Sequence, residues 1–128
     1  MNSLYARSVF FVRDAERALR FYKEELGCKQ DWSYPEGGPA WVCQVSLFGF
    51  ELILNQTDER TSNRAGRGRL FIGLDDDQGA PLIQHLKSKG VRPERRDWGR
   101  PTMVIADPDG NELFFWMPMD DWSQLDTQ

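Results

Sequence analysis

The chain has 128 residues and 14.9 kDa, with 40% apolar and 12% aromatic residues and a net charge of −4. At this mass roughly 65–70% of the unfolded surface can be removed from water, so a single domain with a real core is expected and a disordered chain is excluded. No apolar run reaches the ~18 residues of a transmembrane helix, and the sequence pI of about 5.0 argues against an electrostatic nucleic-acid partner.

The opening MNSLYARSVFFVRD lacks a basic start followed by an apolar stretch, so a cytoplasmic protein with no membrane partner is expected. Within it, SVFFV is a β-branched and aromatic run of strand type. Asp14 then offers an N-cap, and Ala15, Ala18, Leu19, Tyr22 and Leu26 recur at helical spacing, with Gly27 placed to end the helix. A Pro- and Gly-rich loop, YPEGGP, precedes the strands WVCQVSL and FELILN, which are joined at Gly49. The stretch QTDERTSNRAGRGR has no periodic apolar positions and reads as a linker over 56–68.

After the linker the order returns. RLFIGL reads as a strand. DDDQGAPLIQHLKSKG reads as a helix with an acidic first turn, Pro81 near its start and Gly90 at its end. A loop, the strand TMVIAD, the tight turn DPDG and the strand NELFFWMP follow. Four local matches support a duplication. Val12-Arg13-Asp14 with Ala18 answers Leu74-Asp75-Asp76 with Ala80, and Asp31-Trp32 answers Asp97-Trp98. Pro39 to Val42 answers Pro101 to Val104, and Gly49 to Leu54 answers Gly110 to Phe115. The expected fold is α+β: two tandem βαβββ modules, about 5–56 and 68–118, with helices on the outer face of a curved mixed sheet. They form one domain over 1–128, with a tail at 119–128. A generic α+β sandwich without duplication is the competing reading.

This order resembles the vicinal oxygen chelate superfamily of glyoxalases, bleomycin-resistance proteins and extradiol dioxygenases, over nearly the whole chain. FFVRDAERALRFYKEELG looks like its first strand and helix, and PTMVIADPDGNELFFWMP like its last hairpin, with DPDGN the most specific signature. Metal-dependent members draw ligands from the strand before the helix and the last strand of each module. By that resemblance the ligand positions hold Arg7, Ile53, Arg69 and Phe114. Guanidinium and hydrocarbon groups are not donors to a divalent ion, so no metal and no other cofactor is expected. Glu51 and Glu112 lie two residues before Ile53 and Phe114 on the same strand faces. They offer a shifted metal site, or Glu–Arg pairs.

Strand alternation puts Arg7, Val9 and Phe11 on one face with Arg69, Phe71 and Gly73, joined by Glu51, Ile53, Glu112, Phe114 and Trp116. That is an apolar and aromatic floor with a few convergent charges, as in small-molecule pockets. Phe10, Val12, Leu52, Leu54, Leu70, Ile72, Leu113 and Phe115 face the helices. The candidate ligand-binding residues are Arg7, Phe11, Trp32, Trp41, Arg69, Trp98, Glu112, Phe114 and Trp116. Aromatic rings there supply stacking or cation–π contacts; the competing reading has Phe114 and Trp116 fill the old metal site, and the other tryptophans pack loops. Trp122, in the acidic tail, is a surface anchor or a dimer contact.

The single His85 lies on a helix, Cys28 and Cys43 lack CxxC spacing and read as reduced thiols, and no nucleophilic triad or phosphate loop occurs, so no catalytic residue is assigned. The resemblance is greatest to the bleomycin-resistance branch and implies a homodimer that sequesters a small organic molecule, flat and aromatic or bearing a carboxylate or carbonyl. The alternative is a glyoxalase-like lyase or isomerase, or an extradiol-type dioxygenase, with a non-standard metal site. A third class, an interaction module, has only the tail to support it.

Overall fold

The β-branched and aromatic run at the start builds β1 (Ser8–Val12), and Asp14 caps the next element, its carboxylate accepting from the Arg17 amide at 3.1 Å. The computed structural model describes residues 6–75, 77–99 and 101–116, Pro101 by its backbone alone. Helix α1 (Ala15–Arg20) runs into a π-helical turn, Phe21–Glu25, and the chain leaves it at Gly27, whose φ of 83° needs no Cβ to be accommodated. Strands β2 (Lys29–Tyr34), β3 (Val42–Leu47) and β4 (Phe50–Gln56) complete the first module. The second repeats it as β5 (Arg69–Gly73), α2 (Gly79–Ser88), β6 (Glu94–Asp97), β7 (Pro101–Ala106) and β8 (Glu112–Trp116). Trp122, the tail and Asp76 lie outside the described residues.

Each module carries a four-stranded sheet of the same order, β1-β4-β3-β2 and β5-β8-β7-β6. In each, the first strand pairs in parallel with the last and the other pairs are antiparallel. The expected inner faces are buried: Phe10, Val12, Leu52, Leu54, Ile72, Leu113 and Phe115 form one core with Ala15, Ala18 and Leu19 of α1 and Leu82, Ile83 and Leu86 of α2, and Leu70 packs against it. A single apolar core thus spans both modules.

Three local expectations change. First, α2 starts at Gly79, so the acidic run precedes it instead of forming its first turn. Asp75 and Gln78 close a turn there, with the Asp75 amide donating to Gln78 Oε1 at 2.7 Å and the Gln78 amide to the Asp75 carbonyl at 3.1 Å. Second, β2 and β6 are strands although KQDWSY and ERRD show no apolar alternation; both are edge strands with little buried surface.

Third, Trp32 and Trp98 are not equivalent. Trp32 pairs with Gln44 and Gln44 with Ile53, whereas Phe114, the counterpart of Ile53, pairs with Val104 and Val104 with Glu94. Glu94 therefore stands where Trp32 does, and Trp98 follows the end of β6. By the same ladders Gln44, not Val42, answers Val104, so the match of Pro39–Val42 to Pro101–Val104 is out of register by two. The cause is the preceding loop: between equivalent pairs, seven residues separate Tyr34 from Val42 but five separate Arg96 from Thr102. The β3–β4 turn is one residue shorter than its counterpart, with four residues between Ser46 and Glu51 against five between Ala106 and Glu112.

That longer turn fastens the modules together. The Asn111 carboxamide donates to the Phe11 carbonyl (3.0 Å) and to Asp107 Oδ2 (3.0 Å), and accepts from the Gly68 amide (2.8 Å). The buried Tyr22 hydroxyl donates to Asp107 Oδ2 at 2.9 Å. Asp109 Oδ1 accepts from the Arg13 amide at 3.0 Å and meets the Arg13 and Arg17 guanidinium groups. The motif legible as a turn is the clasp of the seam.

Candidate functional site

The open face of each sheet carries the positions singled out by alternation. On the second sheet Arg69 stands opposite Glu112, Phe71 opposite Phe114 and Gly73 opposite Trp116. Trp98 lies over this row, 5.6 Å from the Phe71 ring and 5.1 Å, edge to face, from Phe114. The Arg69 and Arg96 guanidinium carbons sit 5.3 and 5.4 Å from the Phe114 centroid. Both are drawn there by Glu112: Arg69 Nε donates to Oε1 and Arg96 Nη2 to Oε2, each at 3.1 Å. Glu94 also binds Arg96, and hydrogen bonds to Glu112 and then Glu94 raise the Arg96 pKa above its ordinary value. Phe114 is only 2% exposed beneath this cover, while Phe71 and Trp98 remain 49% and 48% exposed. The surface offered to a ligand is Phe71, Trp98 and the guanidinium groups, with Phe114 as their base.

The first sheet has the same plan in different chemistry. Arg7 Nε donates to Glu51 Oε1 at 3.3 Å, the counterpart of the Arg69–Glu112 pair. Gln44, 2% exposed, bridges two carboxylates, donating to Asp31 Oδ2 (2.8 Å) and Glu51 Oε2 (3.2 Å), and accepts from Trp32 Nε1 (3.2 Å). A register shift between Gln30 and Trp32 lets Asp31 turn to Gln44 and also accept from Ser46 Oγ at 2.9 Å. Val9 is 46% exposed, and Phe11 lies under the Arg64 guanidinium at 5.8 Å.

Trp41 stands just before β3, its amide donating to the Tyr34 carbonyl at 2.7 Å. The ring contacts thus join Phe71, Trp98 and Phe114, while Trp32 and Trp41 belong to the other sheet. Arg96 and Gln44 escaped the sequence reading. Arg96 was findable by alternation in ERRD once that segment is taken as a strand; Gln44 carries no such signal, since an amide inside WVCQVSL is as readily solvent-facing.

The metal that the resemblance implies does not fit these residues. The four ligand positions hold two cations and two hydrocarbons, and Glu51 and Glu112 are each engaged by an arginine. No group of three His, Cys, Asp or Glu side chains among the described residues is close enough to hold an ion. The two thiols are inert: burial pushes Cys28 up to about 12 and Cys43 up to about 11. His85 is half-buried on α2, with Nε2 3.2 Å from the Glu24 carbonyl.

The family model described as the glyoxalase/bleomycin resistance protein/dioxygenase superfamily matches residues 5–115. The chain belongs to this superfamily. No curated protein matches it. Among solved structures, the glyoxalase/bleomycin-resistance chain resembles TnmS3, an antibiotic-binding protein from a Streptomyces species, with 26% identity, a TM-score of 0.62 and coverage of 92% of this chain and 99% of that one. A glyoxalase/bleomycin resistance protein/dioxygenase from Alicyclobacillus acidocaldarius is 26% identical with a TM-score of 0.66, covering 94% and 95%. The bleomycin-binding protein of Streptomyces verticillus, complexed with copper(II)-bleomycin, shares the fold at 16% identity and a TM-score of 0.66, covering 92% and 98%.

Proposed function

We propose that this glyoxalase/bleomycin-resistance chain binds and sequesters a small organic molecule without a metal. The observation that carries this reading is the Phe71–Trp98 surface on Phe114. Two large rings stand half exposed, Phe71 on β5 and Trp98 just past the end of β6, flanked by guanidinium groups that a single carboxylate holds in place. Exposed, preorganised aromatic surface next to fixed charge is a binding surface; a packing role would have buried those rings. The rings take a flat aromatic body, and the terminal nitrogens of Arg69 take a carboxylate or carbonyl. That TnmS3 binds an antibiotic supports the same use of the fold here.

On this reading Arg7, Phe11, Trp32 and Trp41 line a second half-site on the first sheet, Trp116 borders the first, and a cytoplasmic homodimer brings open faces of two copies together. The exposed Val9 and Trp32 beside the first sheet, with Phe71 and Trp98 beside the second, support pairing of apolar surface between copies. Titration of tryptophan emission with a panel of flat aromatic acids and their amides tests the proposal. Saturable quenching lost in Trp98→Ala supports it, and quenching indifferent to that change sinks it. Stoichiometric metal in purified protein would sink the metal-free part alone.

A further inference from the structure

The duplication gives the intermodule seam two equivalent ends, and among the described residues only one is closed. At the closed end, the carboxamide of Asn111 bridges the carbonyl of Phe11, at the exit of β1, and the amide of Gly68, at the start of β5. Gly66 adds its own amide to the Phe11 carbonyl at 3.3 Å. Under the repeat, Phe11 answers Gly73 and Gly68 answers Ala6, because Ser8 and Leu70 hold the same register against Leu52 and Leu113. Asn111, one residue before Glu112, answers Phe50, one residue before Glu51. A hydrocarbon thus stands at the other end where the clasp has an amide.

A cavity of about 520 Å³ lies at that end, with Ala6, Phe48, Gly49, Phe50, Leu70 and Gly73 among its walls. The hydrogen bonds from the Glu112 amide to the Gly68 carbonyl and from the Leu74 amide to the Trp116 carbonyl fix which β5 residues bond β8. They are the even-numbered ones, so the backbone groups of Phe71 and Gly73 point to the free edge of the sheet. Phe48 is 40% exposed and holds a φ of 53°, a left-handed conformation that a bulky residue rarely takes.

We infer that this seam cavity is a binding site for a small molecule bearing a carboxamide or peptide group beside an aromatic ring. The ligand's N–H donates to the Gly73 carbonyl, as Asn111 does to Phe11, and its carbonyl accepts from the Ala6 amide, as Asn111 does from Gly68. Its ring lies against Phe48 and Phe50. The protein's own clasp is the template for the group the cavity lacks. Phe71 borders this cavity as well as the Phe71–Trp98 surface, but Trp98 does not line it and the inference stands without Trp98.

The test is titration of the ¹⁵N-labelled full chain with N-acetyl-phenylalaninamide, followed by the amide resonances of Ala6, Phe50 and Gly73. A ligand of this size at ordinary efficiency reaches a Kd of about 1 mM. Saturable shifts at those residues are expected, weakened roughly tenfold or more in Phe48→Gly, where the residue introduced favours the same φ and the fold is retained. They should persist in Trp98→Ala, which removes the other surface. 4-Phenylbutan-2-one keeps a ring and a carbonyl but has no N–H, and should bind at least about tenfold more weakly. Equal binding of the ketone, shifts confined to the Trp98 surface, or no saturable shift overturns the inference. So do cross-relaxation contacts from Gly73 to residues 3–5 in the free protein, because the chain's own start would then fill the cavity.

Discussion

The turns at 47–50 and 107–111 hold equivalent places in two copies of one module and do opposite work. The first is a two-residue turn that exposes Phe48 and leaves a cavity beside it. The second is longer and buries Asp107 and Asn111, so that a polar cluster bridges the seam. Two copies of a module share one core only if their contact is satisfied in hydrogen bonds, since an unpaired buried polar group costs about 1–3 kcal/mol. The clasp meets that requirement for Asp107 and Asn111 and leaves one buried oxygen, Asp109 Oδ2, without a partner among the described residues.

The largest test of this contrast uses glycine. A Cβ on Gly66 would lie 2.0 Å from the Asp109 carbonyl oxygen, a backbone atom that cannot swing aside, at a φ of 78°. Gly49 has a φ of 92° but open space around it. Gly66→Ala is expected to lower stability by at least ~3 kcal/mol and Gly49→Ala by about 1 kcal/mol, measured by urea unfolding. Similar losses would show that the clasp has no special rigidity.

Asn111→Ala comes next. It strands the Phe11 carbonyl and the Gly68 amide and opens a small cavity, for an expected loss of about 2–3 kcal/mol. Tyr22→Phe removes one hydroxyl from Asp107 and should cost about 1–2 kcal/mol. Both changes should also alter the pH profile. Burial raises the Asp107 pKa above the ordinary carboxylate value, against the lowering effect of its hydrogen bonds from Asn111 and Tyr22. In the window between the ordinary and the raised value the folded chain keeps a proton the unfolded chain has lost, so this group's contribution falls as pH rises through it. Asp107→Asn should flatten that slope in unfolding midpoints collected from pH 4 to 7. A wild-type slope of opposite sign in that window, lost in Asp107→Asn, would contradict the burial account.

How far the sequence foretold this contrast depends on the range of each interaction. The open faces were legible because strand alternation is local: Arg7 and Arg69 set the parity, and Glu51, Glu112 and Phe114 followed. DPDGN was legible as a turn and as a family signature, but not as a clasp, since its partners Phe11, Arg13, Tyr22 and Gly68 lie 43 to 100 residues away. Local similarity misled where the β2–β3 and β6–β7 loops differ in length: Asp31-Trp32 and Asp97-Trp98 look alike, yet the ladders put Glu94 in Trp32's place. The edge strands that the βαβββ order requires were not located in the sequence for a related reason. A strand exposed on both sides, such as ERRD, has no apolar period to read.

The smallest expected effect lies on the open faces, where the modules share a plan and differ in charge. Glu51 binds one arginine and a neutral amide, whereas Glu112 binds two arginines. These groups are partly exposed, and each pair contributes no more than about 1 kcal/mol. Glu51→Gln should therefore change stability by about 0.5 kcal/mol or less, because glutamine still accepts from Arg7. Glu112→Gln should cost more, near 1 kcal/mol, since it leaves two guanidinium groups facing each other over Phe114. That repulsion is screened by salt, so the Glu112→Gln deficit should shrink between 0.05 and 0.5 M sodium chloride, over which the Debye length falls from about 14 to about 4 Å, while the Glu51→Gln deficit stays constant. A salt-independent deficit for Glu112→Gln would mean that it is packing against Phe114 and Trp98, and not charge, that holds Arg69 and Arg96 in place.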